Sequence, residues 1–362
     1  MKKIINFKNN AFINICFLCF TAIFTTLSCE SEFDVPSPNF TKAPPEISSV
    51  SEAREDKTVT QGVLENTYII RGKNLSSLVA IYFNDVKASF NPALLTDGIA
   101  FVEVPEDAPV LDQSNKMRVE NLFGTTEYDF SLLTISGFTE ETVNGKKVVN
   151  LMGGDFSETS SVTFVSGSEA NGNLLERPAS FVVVSPGMVQ AEVPAGVEQA
   201  FIFLETSRGA VARSDSYGFS YSVYVDSLNE DWIVTEWGGT HILQSTEVTL
   251  GTYSVKSIRQ GWSGITFLPI NTTIDFGDYQ SISVTLYGTG ASGDSVNLAL
   301  NDFQTQLNLP LIPGQWVKYV IPLADFYPNG GAPDTIFRMD FQESSNTGLS
   351  QYIFYIDDFG FL

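Results

Sequence analysis

From Ile47 onward the chain runs in short segments in which Val, Ile, Phe and Tyr alternate with polar residues, each cut off by Gly, Asn, Asp or Pro. Alternation of this kind buries one face of a strand and leaves the other to water. No stretch repeats with the period of an amphipathic helix. The pattern therefore predicts an all-β chain. Residues from about Ser31 to Pro45 follow neither period and are rich in Pro, Ser, Asn and Thr, as a tether would be.

The N-terminus has a different character. Lys2, Lys3 and Lys8 precede an uncharged apolar run from Ala11 to Leu27, the two regions of a secretory leader. The run ends at Leu27-Ser28-Cys29-Glu30, which resembles a lipobox, with Thr26 where the usual pattern prefers Leu. Glu30, Glu32 and Asp34 come next, resembling the surface-export signal of Bacteroidota lipoproteins. The expected division is a signal peptide over 1–28, lipidation at Cys29, and a tether over 29–44. That resemblance places the protein on the cell surface, lipid-anchored in the outer membrane. Of three cysteines, Cys16 and Cys19 lie inside the leader, so the processed chain keeps one and can form neither a disulfide nor a thiolate metal site.

An internal repeat divides the chain beyond the tether. Arg71-Gly72-Lys73-Asn74-Leu75, the segment Ser77 to Phe83, and Val102-Glu103-Val104-Pro105 return as Gly153-Gly154-Asp155-Phe156-Ser157, Ser161 to Phe164, and Ala191-Glu192-Val193-Pro194. The interval from Pro105 to Pro194 exceeds that from Gly72 to Gly154, so the second copy carries an insertion near Gly167 to Glu176. Each copy is the size of one small β-sandwich. The first, 45–133, resembles the IPT/TIG family of immunoglobulin-like domains in its Gly72-Lys73-Asn74-Leu75 turn and closing Asn121-Leu122-Phe123-Gly124. The second, 134–222, matches more weakly, with Ser207-Arg208-Gly209 at its close. Both read as spacers.

Charge narrows the class of partner. The formal charge is −22, and loss of the three leader lysines makes it −25. Such a balance repels nucleic acid, anionic lipid and polyanionic glycans, since phosphate and sulfate contacts need Lys and Arg. A neutral polysaccharide fits.

The segment 223–362 holds all four tryptophans, Trp232, Trp237, Trp262 and Trp316, and the only histidine, His241. A pyranose has one face of C–H bonds and a rim of hydroxyls. An indole can stack on the face while amides and carboxylates bind the rim. Asp231-Trp232, Gly251-Thr252-Tyr253-Ser254-Val255-Lys256 leading into Gln260-Gly261-Trp262-Ser263-Gly264-Ile265, Gly314-Gln315-Trp316-Val317 and Tyr355-Ile356-Asp357-Asp358-Phe359 resemble the jelly-roll glycan-binding domain of Bacteroidota surface glycan-binding proteins. The expected fold is thus tandem immunoglobulin-like β-sandwiches followed by a C-terminal β-sandwich jelly roll. The resemblance implies non-catalytic capture of a β-glucan such as xyloglucan, mixed-linkage glucan or laminarin, beside an outer-membrane importer complex.

Carried over by position, the aromatic platform is Trp262 with Trp237 or Trp232. Those two are five residues apart, which puts them on opposite faces of an unbroken strand. Tyr287, Asn297, Asn301 and Gln304 alternate with apolar residues and offer a polar face. Trp316 opens a strand and reads as structural. Jelly-roll modules of this kind often hold a structural Ca²⁺ through an early and a late acidic residue, here Asp226 and Asp357; no other cofactor is implied. Two rival readings share the anchor: a glycoside hydrolase, for which no carboxylate pair stands out by spacing, and a structural adhesin, which would not need a Trp-rich terminal domain.

Overall fold

Sheets with one apolar face must cover it, and here they do so by stacking in pairs. The computed structural model describes residues 42–111, 113–290, 294–345 and 351–362, and Ala43–Leu362 forms one unit containing three hydrophobic cores. The leader, Cys29 and the tether as far as residue 41 lie outside the described residues. The chain is all-β: helical structure among the described residues amounts to three short 3-10 turns. Among the described residues no helix is long and apolar enough to cross a membrane.

The first sandwich sets a sheet containing Glu46–Glu52, Thr67–Lys73 and Ile99–Glu103 against one containing Lys116–Asn121 and Leu78–Phe83. Tyr68, Phe83 and Phe130 meet in its core. Asn74 takes the left-handed conformation at φ 60°, which Asn tolerates better than most residues, and its side chain donates to the Pro44 carbonyl at 3.0 Å. The second sandwich repeats the arrangement around Leu151, Phe164 and Leu204. Arg208 joins the two: its guanidinium donates to the Thr60 carbonyl at 2.7 Å and to Ser131 Oγ at 2.8 Å.

The insertion in the second copy has a structural task. Its Gly167 carbonyl accepts from the Gly251 N–H at 3.1 Å, and Asn171 donates to the Val248 carbonyl, so it grips a loop of the third sandwich. Arg213 adds an ion pair with Asp226. The second and third sandwiches are thus fastened through side chains and backbone alike.

Strands of the third sandwich are numbered β1 (Tyr221–Val225), β2 (Trp232–Ser245), β3 (Ser254–Pro269), β4 (Ser281–Gly288), β5 (Ser295–Leu300), β6 (Thr305–Pro310), β7 (Trp316–Pro322), β8 (Met339–Glu343) and β9 (Tyr352–Phe361). The early half of β3 pairs with β9, which also carries β1 and β4, and β4 carries β7. The later half of β3 pairs with β8, followed by β5 and β6. The long β2–β3 hairpin therefore belongs to both layers and turns the corner between them. Phe267, Phe341 and Phe359 pack at 5.1–5.8 Å where the layers meet.

Candidate functional site

The corner of the β2–β3 hairpin is a bulge. Trp237 pairs with Gly264 and Gly239 with Arg259, so the four residues Gln260 to Ser263 stand opposite Gly238 alone. Ser263 closes this excursion on itself, accepting from the Gln260 N–H at 2.9 Å and donating to the Gln260 carbonyl at 2.6 Å. Gly238, at φ 65°, is required here because a Cβ would overlap that of Ser263.

Trp262 rides at the crest. Its φ is 63°, a left-handed conformation that costs a bulky side chain about 1–3 kcal/mol, and its indole is 50% exposed. The backbone is tied at both ends. Its N–H donates to Oε2 of buried Glu343 at 3.0 Å, while its carbonyl accepts from Trp237 Nε1 at 3.3 Å and from Gln342 Nε2 at 3.1 Å. Strain of this size persists only where the surrounding structure holds it, as the bonds at both ends of Trp262 do.

Beneath the bulge lies Arg259, fully buried. Its guanidinium donates to the carbonyls of Gly264, at 2.6 Å, and of Thr240, and it pairs with Glu236 at 3.5 Å. Glu236 also meets His241. Burial works against the charge on Arg259 and the Glu236 carboxylate supports it. The cation thus fastens the carbonyls that shape the corner.

Trp237 lies flat. Its six-membered ring covers Gly264, where a Cβ would overlap Cη2, Cζ2 and Cζ3. The ring is half-buried there. Phe303 packs edge-on against it, with centroids 6.0 Å apart and planes at 77°, and Arg338 stands 5.9 Å from its centroid, held by Asp302 and Asp340. Phe303 reaches this position through a turn in which Asn301, Asp302 and Phe303 all have positive φ.

An amide row extends from the rings. Cross-strand partners share a face, so Trp237, Gly264, Gln342, Asn297 and Asn308 line up across five strands. Asn308 Nδ2 donates to Asn297 Oδ1 at 2.9 Å, Asn297 Nδ2 to Gln342 Oε1 at 3.4 Å, and Gln342 Nε2 to the Trp262 carbonyl. On the opposite face Ile265, Phe341 and Leu298 enter the core. An exposed indole, a half-buried one beside it, and a row of oriented amides in which Asn308 is exposed, Gln342 half-buried and Asn297 buried make a surface suited to a ligand with an apolar face and a hydroxyl rim.

Other candidates from the sequence go elsewhere. Trp232 is 2% exposed and its Nε1 donates to Tyr221 OH at 3.1 Å; a ring with no open face cannot stack on a ligand, so it is a core group. The odd spacing from Trp237 along β2 is the reason, because it turns one indole inward and the other outward. Asn301 is fully buried, donating to the Thr335 carbonyl and accepting from the Phe337 N–H, so its amide is committed to the fold. Tyr287 sits on β4 in the other layer, packed on Trp316 at 5.3 Å and Tyr355 at 5.7 Å. Gln304 is exposed in the turn next to Phe303. The sequence pattern did not single out Phe303, Arg259, Gln342 or Asn308. Arg259 alone left a trace, as a cation at an inward position of the alternation Val255, Ser257, Arg259.

Asp226 and Asp357, the residues expected to hold calcium, are both engaged by donors of the protein itself. Asp226 accepts from the N–H groups of Thr252 and Tyr253 and from Arg213, and Asp357 from those of Thr249, Leu250 and Asp358. Among the described residues no group of three or more Asp, Glu, His or Cys is gathered for a metal ion. The two aspartates hold the loop 247–253 by its backbone instead.

No family model matches this chain, and no curated protein matches it. Among solved structures, it is similar to the surface glycan-binding protein PbSGBP-B from Prevotella bryantii, at 15% identity over 88% of this chain and 98% of that one, with a TM-score of 0.29. It is similar also to SGBP-B from a complex xyloglucan utilization locus in Bacteroides uniformis, at 14% identity over 88% and 99%, TM-score 0.29. A family 11 carbohydrate-binding module from Clostridium thermocellum, in complex with a β-1,3-1,4-mixed-linked tetrasaccharide, is 13% identical over 39% of this chain and 95% of its own, TM-score 0.31. Likeness at this level carries no inference about ligand or role.

Two outcomes are expected from the site's physics. Trp262→Gly relieves the left-handed strain and should raise stability by about 1 kcal/mol in chemical denaturation, where a bulky residue held there by core packing would instead lose stability. Burial pushes the Asp358 carboxyl up to about 7, with Lys318 opposing the shift and Asp226 adding to it. From about pH 4 upward the unfolded chain has released a proton that the folded chain still holds, so stability falls with rising pH until about 7 and then levels, with a slope of at most about 1.4 kcal/mol per pH unit from this group. Burial and the Asp358 carboxylate raise neighbouring Asp357 as well, so both groups contribute to the decline that thermal midpoints between about pH 4 and 8 should show, and Asp358→Asn should reduce it; an unchanged slope refutes the assignment.

Proposed function

We propose that this chain binds a neutral polysaccharide without cleaving it, through the face formed by Trp262, Trp237 and the amide row Gln342, Asn297 and Asn308. The observation that carries the reading is an exposed indole held at φ 63° by a backbone hydrogen-bonded at both N–H and carbonyl, beside a second indole laid flat on glycine. Rings of this kind gain from apolar sugar faces, and amides fixed in direction select hydroxyls. Asp340, a buried carboxylate of this face, is engaged by Thr266 and Arg338, and Glu343, on the core side of β8, by the N–H groups of Trp262 and Ser345, which supports binding over hydrolysis. The net charge of −22 disfavours polyanionic glycans.

Within this reading the ligand is a β-glucan, with xyloglucan, mixed-linkage glucan and laminarin as the first probes, and the chain is a surface lipoprotein held through Cys29 that delivers the glycan to an outer-membrane importer. Affinity electrophoresis in gels cast with these polymers and with a polyuronate should retard the chain only in neutral gels, with no release of reducing ends. Trp262→Ala should weaken binding by roughly 2 kcal/mol, on the order of thirtyfold, while keeping the thermal midpoint. Retardation unchanged by the substitution would remove the platform assignment. As to the anchor, Cys29→Ala should move the protein from the membrane fraction to the soluble fraction; persistence in the membrane would contradict lipidation.

A further inference from the structure

A second feature lies in the second sandwich, away from the ring platform. Its strand Phe181–Ser185 pairs on one side, with Met188–Glu192, and forms an edge of its sheet among the described residues. Val182 is 64% exposed and Val184 57%. The Glu192 N–H donates to the Ser180 carbonyl at 2.8 Å, and antiparallel bonding alternates along a strand. Val182 therefore turns its N–H and carbonyl toward Gln190, while Phe181 and Val183 turn theirs to the open edge. An apolar edge with backbone groups facing outward is a template for another strand.

The charge of the chain says which strand. Edges are ordinarily guarded by charged side chains, and others here are: Gly124–Asp129 carries Glu127 and Asp129, Ile135–Val143 carries Glu140 and Glu141, and Trp316–Pro322 carries Lys318. From Pro178 to Ala191 there is no charged residue. Two copies at −22 each repel over most of their surface, so a contact between copies needs an uncharged stretch that also matches itself. Phe181 to Val183 meets both conditions. About a two-fold axis at Val182, Phe181 of each copy exchanges N–H···O bonds with Val183 of the other, and Val182 lies opposite itself on the outward face. The register shift between Val183 and Ser185 takes Val184 out of the regular ladder, which sets the axis at Val182 rather than further along. Behind Val182 the outward row continues through Gln190 and Asn150, whose amides hold the Glu141 carboxylate.

We propose that Phe181–Ser185 is a self-association edge, along which two copies of this chain pair antiparallel and join their four-stranded sheets into one. The contact is closed, because a two-fold pairing uses the edge of both copies and leaves none over. It is also short, so the association is weak and reversible. Under the proposed function a pair carries two glycan faces, and a polymer that reaches both is held more tightly by avidity. The pairing itself does not rest on that function.

The test uses the full chain with Cys16→Ala, Cys19→Ala and Cys29→Ala, so that an added thiol stands alone, in a mild detergent that shields the apolar run from Ala11 to Leu27. Sedimentation velocity between about 1 µM and about 100 µM should show the mass rising from a single chain toward a pair. Val182→Lys sets like charges opposite each other and should restore the single chain, with near-ultraviolet circular dichroism and thermal midpoint unchanged. Directly opposed residues of a non-hydrogen-bonded pair have Cα atoms about 4.5 Å apart, within reach of a disulfide. Under mild oxidation Val182→Cys should therefore cross-link at least about tenfold faster than Val79→Cys, a control 50% exposed on the first sandwich. A chain that stays single at about 100 µM, a pair that survives Val182→Lys, or cross-linking no faster at Val182 than at Val79 overturns the proposal. Glycan binding is read in none of these arms, so their failure leaves the platform untouched.

Discussion

A buried guanidinium holds the corner on which the candidate site is built. Arg259 lies where the β2–β3 hairpin leaves one layer for the other, and its donors take up carbonyls that the bulge pulls out of the regular ladder. An unsatisfied carbonyl at such a corner would favour unfolding of the bulge, and a buried cation without Glu236 would be costlier still. With both present the corner is stiff enough to keep Trp262 in a conformation that its side chain disfavours. Glu343 and Gln342 complete the hold from β8.

In the proposed reading stiffness matters because stacking on a sugar releases modest free energy, and a loose ring would lose much of it in ordering. Trp237 gains the same benefit from Gly264, on which it lies. The amides are set in a single direction, each donating to the next, and so meet a ligand without first reorganising. The strained crest, the flattened ring and the aligned amides all serve one surface.

The same economy of parts appears at the sandwich junctions. An insertion that breaks the repeat becomes a clamp on the third sandwich, and aspartates with the look of metal ligands hold a loop by its N–H groups.

The sequence by itself determined the all-β class, because alternation of apolar and polar positions is a local property of each strand. It also determined that Trp262 stands apart, since a large ring flanked by Gly261 and Gly264 makes a poor core anchor, and that Trp232 and Trp237 must face opposite ways. What it could not determine was which residues meet across strands. Pairing register brings Gln342, Asn297 and Asn308 from three strands into line with Trp237, and a left-handed turn brings Phe303 to its edge. Asn301 and Asp226 show the converse: polar residues with the right chemistry whose bonding capacity the fold had already consumed. Register and hydrogen-bond saturation are set by contacts between segments far apart in the chain, and only the tertiary structure decides them.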